Sequence, residues 1–411
     1  MIKTVFQKIK TFLTNFKQRQ RVLFVSFKEE GVLLEKVVFL SEDFDLQCFR
    51  KKILIKDLNE KNFKNNLFFK FFLFFLFFPF PYKVVVNLYH LYCYSQCSLL
   101  ETKRKNPSQP LTSEEINSFF LQNIWKLIEE QKRKIVKKKE IEEAEILLVD
   151  NLVCGIKIDA KTIPQDLKNL SDFQGRDFKV NLFQTFVKRS FFIDLTRVLP
   201  RRAQLAGFFE EGITLATSLY LKEFFESPKK ENQPFLLFFL REKETSVFLF
   251  DKKEIYSFDH LNFGYFYLYQ VFNNLLGINR EVFEEIMKRL ERNELSVKVR
   301  DYFLKIIRKE LKNFYYAVFS LKKSLGVKKH YFYAEKLTNF LNKWEKKYFS
   351  SLVKEEALFF SFKKDSCLKE EDLVFQSLLS FSLENVFRKS LANSLVVKLI
   401  RWLIPHNIQI E

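Results

Sequence analysis

Pro234–Gly264 reads PFLLFFLREKETSVFLFDKKEIYSFDHLNFG, and its pattern decides the fold class. Two apolar runs, Phe235–Leu240 and Val247–Phe250, flank the charged turn Arg241-Glu242-Lys243-Glu244. A second turn, Asp251-Lys252-Lys253, precedes a third strand-like piece, Glu254–Phe258. Short apolar runs bounded by turn signals predict strands buried on both faces, so the stretch reads as a β-meander at the centre of a domain. It contains no glycine before Gly264, and turns without glycine do not wrap closely around a phosphate.

Toward the N-terminus the same pattern recurs. Val22–Phe27, a turn at Glu29-Glu30-Gly31, Val32–Leu40 and Leu46–Ile55 form a second meander. Two similar meanders far apart in one chain predict a duplicated, two-lobed architecture. After the first comes Asn65–Phe80 (NNLFFKFFLFFLFFPF), interrupted by Lys70 and ended by Pro79 and Pro81. Its apolar run falls short of the roughly 18–20 residues a spanning helix needs. It reads as a helix buried against a sheet and followed by the strand Lys83–Tyr89 (KVVVNLY), with a membrane-dipping segment as the rival.

Thr112 and Glu115 have the spacing of a capping box. The helix they open runs to about Lys139, with Ile116, Phe119, Phe120, Ile124, Leu127 and Ile128 along one face. A hairpin of Ala144–Val149 and Val153–Ile158, a helical Pro164–Asn169 and a strand Phe178–Val187 complete a compact α+β subdomain over 83–190. Residues 202–226 read as a long helix; helices at 264–276, 279–292, 297–324 and 336–347 follow the second meander, and 371–404 is helical up to Pro405.

The formal charge is +19, from 69 Lys and Arg against 50 Asp and Glu, which attracts nucleic acid, anionic lipid or an acidic protein. No zinc spacing, RNP-like aromatic pair or GXXG clamp accompanies it, so nucleic-acid binding is the weaker reading. Residues 3–19 form a basic amphipathic helix suited either to an anionic membrane surface or to the protein's own body. Without a continuous apolar core or a small-residue cleavage site it does not read as a signal peptide. Five cysteines without paired motifs predict free thiols in a reducing compartment. His90, His260, His330 and His406 have no metal-ligand spacing, and Asp150, Asp159, Asp194 and Asp259 read as surface or capping residues. GxSxG, HExxH, P-loop and GxGxxG motifs are absent. The 8 glycines are few for a chain of this length, since globular proteins average about 7%.

The order of elements resembles the bacterial actin-like proteins of the FtsA/PilM type: meander, apolar helix, KVVVNLY, α+β insertion, long helix, second meander, and a helix bracketed by Gly264 and Gly277. The resemblance implies an α/β actin-like (ribonuclease H-like) two-lobed fold with duplicated mixed sheets and an inserted SHS2-like subdomain. It divides the chain into an N-terminal helix (1–20), the start of the first lobe (21–82), the insertion (83–190), the second lobe with the return to the first (191–390) and a C-terminal helix (391–411).

In that family three loops hold the nucleotide, and here each departs from the pattern. In Phe24–Val32, Ser26 and Lys28 stand where the family has Asp and Gly. In the opening stretch Phe239 replaces the Asp, Arg241 and Glu242 replace two glycines, Ser246 stands at the last Asp, and Thr245 is kept. In HYFYAEKLTNFLNKW, Ala334, Glu335 and Lys336 replace a glycine triplet. The resemblance thus implies a pseudo-ATPase without catalytic residues, cofactor or metal. It also implies a scaffold peripheral to the cytoplasmic face of the inner membrane, in cell division or type IV pilus assembly, with protein partners and self-association. Leu391–Ile404 resembles the family's membrane-binding helix, with Leu395, Leu399, Trp402 and Leu403 along one side and Lys398 and Arg401 on the other. A protein inserted in the membrane through Asn65–Phe80 is the alternative.

Overall fold

The computed structural model describes residues 21–28, 31–39, 47–56, 82–89, 92–159, 161–163, 173–199, 203–214, 234–241, 243–251, 254–334 and 358–359. The chain divides into two compact units, Met1–Leu219 with Glu370–Glu411, and Tyr220–Lys369.

In the first unit, β1 (Arg21–Lys28), β2 (Gly31–Phe39) and β3 (Gln47–Lys56) form the expected antiparallel meander. β4 (Tyr82–Leu88) runs parallel to β1. From Val22 to Phe27 every residue of β1 is buried, the continuous apolar run expected of a strand covered on both faces. Next along the chain come β5 (Cys93–Lys103) and α1 (Ser113–Lys139). After them β6 (Ile146–Ile158), β7 (Lys161–Ile163) and β8 (Asp177–Lys188) complete a second, antiparallel sheet of order β5-β8-β6-β7. α2 (Arg189–Val198) then returns the chain to β9 (Ala203–Glu210), which lies parallel to β4 and completes the first sheet as β3-β2-β1-β4-β9.

Three sequence readings change here. Residues 203–210 are a strand, not the start of a helix over 202–226. Ala, Leu and Glu favour helix only weakly, and pairing along β4 overrides them, with Gly207 at a shift in register of the kind glycine permits. Ile146–Ile158 is one strand, not a hairpin: Asp150 and Asn151 stay in the ladder opposite Thr185 and Gln184, between register shifts at Leu148/Asp150 and Val153/Gly155. Tyr82–Leu88 pairs with β1 rather than with the inserted sheet, and α2 and β9 belong to the first unit. The insertion therefore begins after Tyr89, and the first unit extends past 191.

The two faces of the inserted sheet have different neighbours, as alternation of side chains along strands requires. Leu148, Val153, Ile156, Val180, Leu182 and Phe186 pack with the Ile116, Phe120, Ile124 and Ile128 face of α1. Cys93, Leu147, Val149 and Val187 pack with Phe191, Phe192 and Leu195 of α2 and with one face of the first sheet. Phe27 meets Phe191 edge-on at 5.0 Å between ring centroids. Thr112 caps α1 as expected, accepting from the Glu115 N–H at 3.2 Å. The reciprocal half of the box is replaced: Glu115 accepts instead from Arg104 at 2.7 and 2.8 Å. Arg104, itself buried, also donates to the carbonyls of Gln109, Pro110 and Gly175.

In the second unit, β10 (Phe235–Leu240), β11 (Thr245–Asp251) and β12 (Glu254–Leu261) are the opening meander, all antiparallel. α3 (Tyr265–Leu276), α4 (Arg280–Arg292) and α5 (Val297–Leu325) follow. β13 (Lys329–Ala334) then runs parallel to β10, and β14 (Leu358–Phe359) parallel to β13. The sheet order is β12-β11-β10-β13-β14, which repeats the first sheet strand for strand. Gly277 (φ 66°) ends α3 and Gly326 (φ 65°) ends α5 in the left-handed conformation that glycine adopts at no steric cost. The predicted helix over 336–347 and the segments 3–19, 65–80, 164–169 and 371–404 lie outside the described residues.

Candidate functional site

At the tip of the β10–β11 hairpin the ladder closes at Leu240 and Thr245. Across the turn, the Arg241 N–H donates to the Glu244 carbonyl at 3.0 Å, and the Arg241 carbonyl accepts from Tyr265 N–H at 3.2 Å, tying the turn to the start of α3. Thr245 is fully buried and donates its hydroxyl to the Phe263 carbonyl at 2.7 Å. Phe239 is fully buried, opposite Ser246 on one side and Tyr333 on the other. The Arg241 side chain is 2% exposed and folds back so that its guanidinium lies 4.9 Å from the Phe239 ring centroid, within cation–π range.

Ala334 ends β13 directly opposite Leu240. The parallel pairing of β10 and β13 thus brings Phe239, Arg241 and Ala334 to one edge of the sheet, at the carboxyl ends of its parallel strands. In open α/β sheets that edge is where ligands bind. Glu242, Glu335 and Lys336 lie outside the described residues.

His260 on β12 adds a contact that sequence spacing does not suggest. Its Nδ1 is 2.6 Å from Glu244 Oε1 and 3.5 Å from Ser246 Oγ. The three residue types are those of a hydrolytic triad, but a relay needs the imidazole to bridge its partners through two different nitrogens. Here Nδ1 lies nearest both, and the cluster fastens β12 to the hairpin turn.

The corresponding edge in the first unit is built differently. The β1–β2 hairpin closes at Lys28 and Gly31. Ser26 lies opposite Leu33 on β2 and Asn87 on β4, and both Ser26 and Asn87 are buried. Among the described residues Asn87 Oδ1 has no hydrogen-bond partner. At the end of β9, Glu210 Oε2 accepts from the Ile213 N–H at 3.0 Å. The helical turn that begins at Glu211 therefore has its own carboxylate at its N-terminus, the position where a bound anion would otherwise sit. The sequence carries no signal for Asn87, because its place beside Ser26 follows from strand pairing.

Two of the acidic residues read as surface or capping groups accept backbone N–H groups from elsewhere in the chain. Asp150 accepts from the Phe208 N–H at 3.1 Å, and Asp159 from those of Arg176 and Asp177. Cys93, Cys97 and Cys154 are thiols outside any disulfide, and burial, with Cys154 nearby, pushes the Cys97 thiol well above its usual range. Among the described residues no three His, Cys, Asp or Glu side chains cluster as metal ligands, and no helix is long and apolar enough to cross a membrane. The predicted lipid-facing set Leu395, Lys398, Leu399, Arg401, Trp402 and Leu403 lies outside the described residues.

Two mixed sheets with one strand order and one pattern of strand senses are what the sequence resemblance implies. The fold is actin-like. No family model matches the sequence, and no curated protein matches it significantly. Among solved structures, the chain is similar to a PilM–PilN type IV pilus biogenesis complex at 12% identity and TM-score 0.47, covering 92% of this chain and 98% of that one. It is also similar to a Bacteroides thetaiotaomicron protein with an actin-like ATPase fold and unknown function, at 12% identity and TM-score 0.40, covering 89% and 98%. A third is the cytoplasmic domain of EpsL, an inner-membrane component of the Vibrio cholerae type II secretion system, at 10% identity and TM-score 0.24, covering 59% and 71%. The fold rests on the strand order.

Proposed function

We propose that the chain is a non-catalytic actin-like scaffold of the FtsA/PilM type, a pseudo-ATPase working through protein partners at the cytoplasmic face of the inner membrane in pilus assembly or cell division. In this reading the repeated sheets are a duplication and the inserted sheet with α1 is an SHS2-like module. The observation that carries it is the β10–β11 turn. An actin-type site holds phosphates on backbone N–H groups at glycine turns and places a metal through an acidic side chain. At the matching positions Phe239 is a buried aromatic ring with Arg241 folded over it, and the Arg241 N–H is already bonded within the turn. In the first unit Ser26 offers no carboxylate for a metal. These residues do not fit a nucleotide with its metal, and no chemical step is assigned to them.

A ligand that binds only the native state raises its melting temperature. Thermal unfolding of the full chain with and without millimolar Mg-ATP should give the same Tm. A reproducible rise with nucleotide would overturn the pseudo-ATPase reading.

A further inference from the structure

Two surface helices of the chain pair their charges at the spacing where neighbouring turns meet. On α4, Arg280 pairs with Glu284 and Arg289 with Glu285; on α1, Lys134 pairs with Glu130. α5 departs from this pattern. Its core side carries Phe303, Ile307, Leu311, Phe314 and Val318. On the opposite side Lys298, Tyr302, Lys305, Lys309, Lys312 and Tyr316 follow one another at steps of three and four, with Lys323 two turns further on, and all are exposed. Among the described residues none of these lysines is ion-paired. The acidic residues of α5 do not offset them. Asp301 stands at the edge of the row, 3.5 Å from Arg300, and Glu310 is buried and accepts from Tyr267.

At 1.5 Å per residue the row is about 38 Å long. Tyr302 is 51% and Tyr316 62% exposed, and Lys312 Nζ lies 5.8 Å from the Tyr316 ring centroid. A straight row of this kind meets a plane along its whole length. A helix seated in a nucleic-acid groove instead has phosphates on both flanks, and one flank of this row, Val299, Ile306, Asn313 and Ala317, carries one polar and no charged side chain. The row also holds no arginine, asparagine or glutamine to read a base edge. Lysine is a compact, hydrated charge on a flexible stem, which suits diffuse surface charge, and tyrosine belongs at a membrane interface, where one end of the ring is wet and the other apolar.

We infer that α5 lies on an anionic membrane surface, its lysines against phosphate headgroups and Tyr302 and Tyr316 at headgroup level. The apolar side of α5 is committed to the core, so the attachment is electrostatic and the helix does not insert. The inference rests on the membrane-peripheral reading above and gives it a surface outside residues 391–404.

The test is co-sedimentation of the full chain with vesicles of phosphatidylcholine mixed with phosphatidylglycerol, and with phosphatidylcholine vesicles alone. The chain should bind the anionic vesicles only, and binding should fall steeply as salt rises. Lys305→Gln, Lys309→Gln and Lys312→Gln together, with unchanged helical circular dichroism, should weaken it about a hundredfold. Arg133→Gln, Lys134→Gln and Lys137→Gln on α1, the same loss of charge elsewhere, should leave it within about threefold of the natural chain. Equal losses from the two triple variants would overturn the proposal, because net charge and not α5 would then hold the membrane. Unchanged binding by the α5 variant would overturn it while leaving the membrane-peripheral reading intact, and no binding to anionic vesicles would overturn both. Duplex DNA that displaces the chain from vesicles, and is itself released by the α5 substitutions, would reassign the row to nucleic acid and overturn the proposal. The Mg-ATP melting experiment reports on the hairpin turns and stands apart from all of these outcomes.

Discussion

The first and second sheets have the same strand order and the same strand senses, yet they are filled and finished differently. Between β1 and β4 the buried neighbours on the β4 side are Val84, Val85 and Val86. Between β10 and β13, Phe238 stacks on Phe332 at 5.1 Å, and Phe332 in turn meets Tyr315 at 5.5 Å and Phe314 at 6.0 Å. At the strand ends the first sheet keeps small or acidic polar residues, Ser26, Asn87 and Glu210, all buried. The second ends in Phe239, Arg241 and Ala334. The contrast shows that strand order follows from buried apolar runs and short connections. Residues beyond the last ladder pair contribute little to that order, so turns of different chemistry can close sheets of the same order.

Core truncations probe this contrast most strongly. Phe238→Ala should cost about 3–5 kcal/mol in urea unfolding, whereas Val85→Ala in the first sheet should cost about 2 kcal/mol from the methyl groups removed. Equal losses would break the distinction between the aromatic β10–β13 pair and the valine run of β4.

A smaller effect of opposite sign separates the strand ends. Thr245→Val leaves the buried Phe263 carbonyl without its donor and should destabilise by about 1–2 kcal/mol. Asn87→Leu removes an amide whose Oδ1 has no partner among the described residues, and the same measurement should show no loss, or a gain of up to about 1 kcal/mol. A clear destabilisation by Asn87→Leu would mean that the amide is satisfied in the working protein.

The smallest effect is confined to alkaline pH and to the second unit. Tyr267 donates to Glu310 at 2.9 Å; that hydrogen bond first, then partial burial, holds its phenol above the ordinary value. Below the unfolded value of about pH 10 the proton is on in both states and the contribution is intact. As pH rises past it the unfolded phenol ionises first, and stability falls through the higher folded value. Melting temperatures followed into that range should fall less steeply for Tyr267→Phe than for the natural chain. Parallel curves would show that the hydrogen bond carries no linkage.

Much of this architecture is legible in the sequence. Both meanders, the Thr112 cap, and the helices bracketed by Gly264, Gly277 and Gly326 announce themselves in residues within a turn of one another. Phe239, Arg241 and Ala334 are readable as departures from the pattern that the resemblance implies, though not as neighbours. His260 beside Glu244 and Asn87 beside Ser26 are not readable. Each pair depends on strand register, and no periodicity in the chain reports it.

The amino-acid order alone determined where strands and helices of local origin begin and end, because apolar period and end caps act over a few residues. Tertiary structure alone decided the rest. Ala203–Glu210 became a strand because β4 offered it a ladder, and Asp150-Asn151 stayed in a strand because β8 runs past it and pairs with it. Glu115 turned from its capping box to Arg104, and Arg241 lay down on Phe239. In each case a partner remote in sequence or enforced by burial outweighed a local preference worth only about 1 kcal/mol or less per residue.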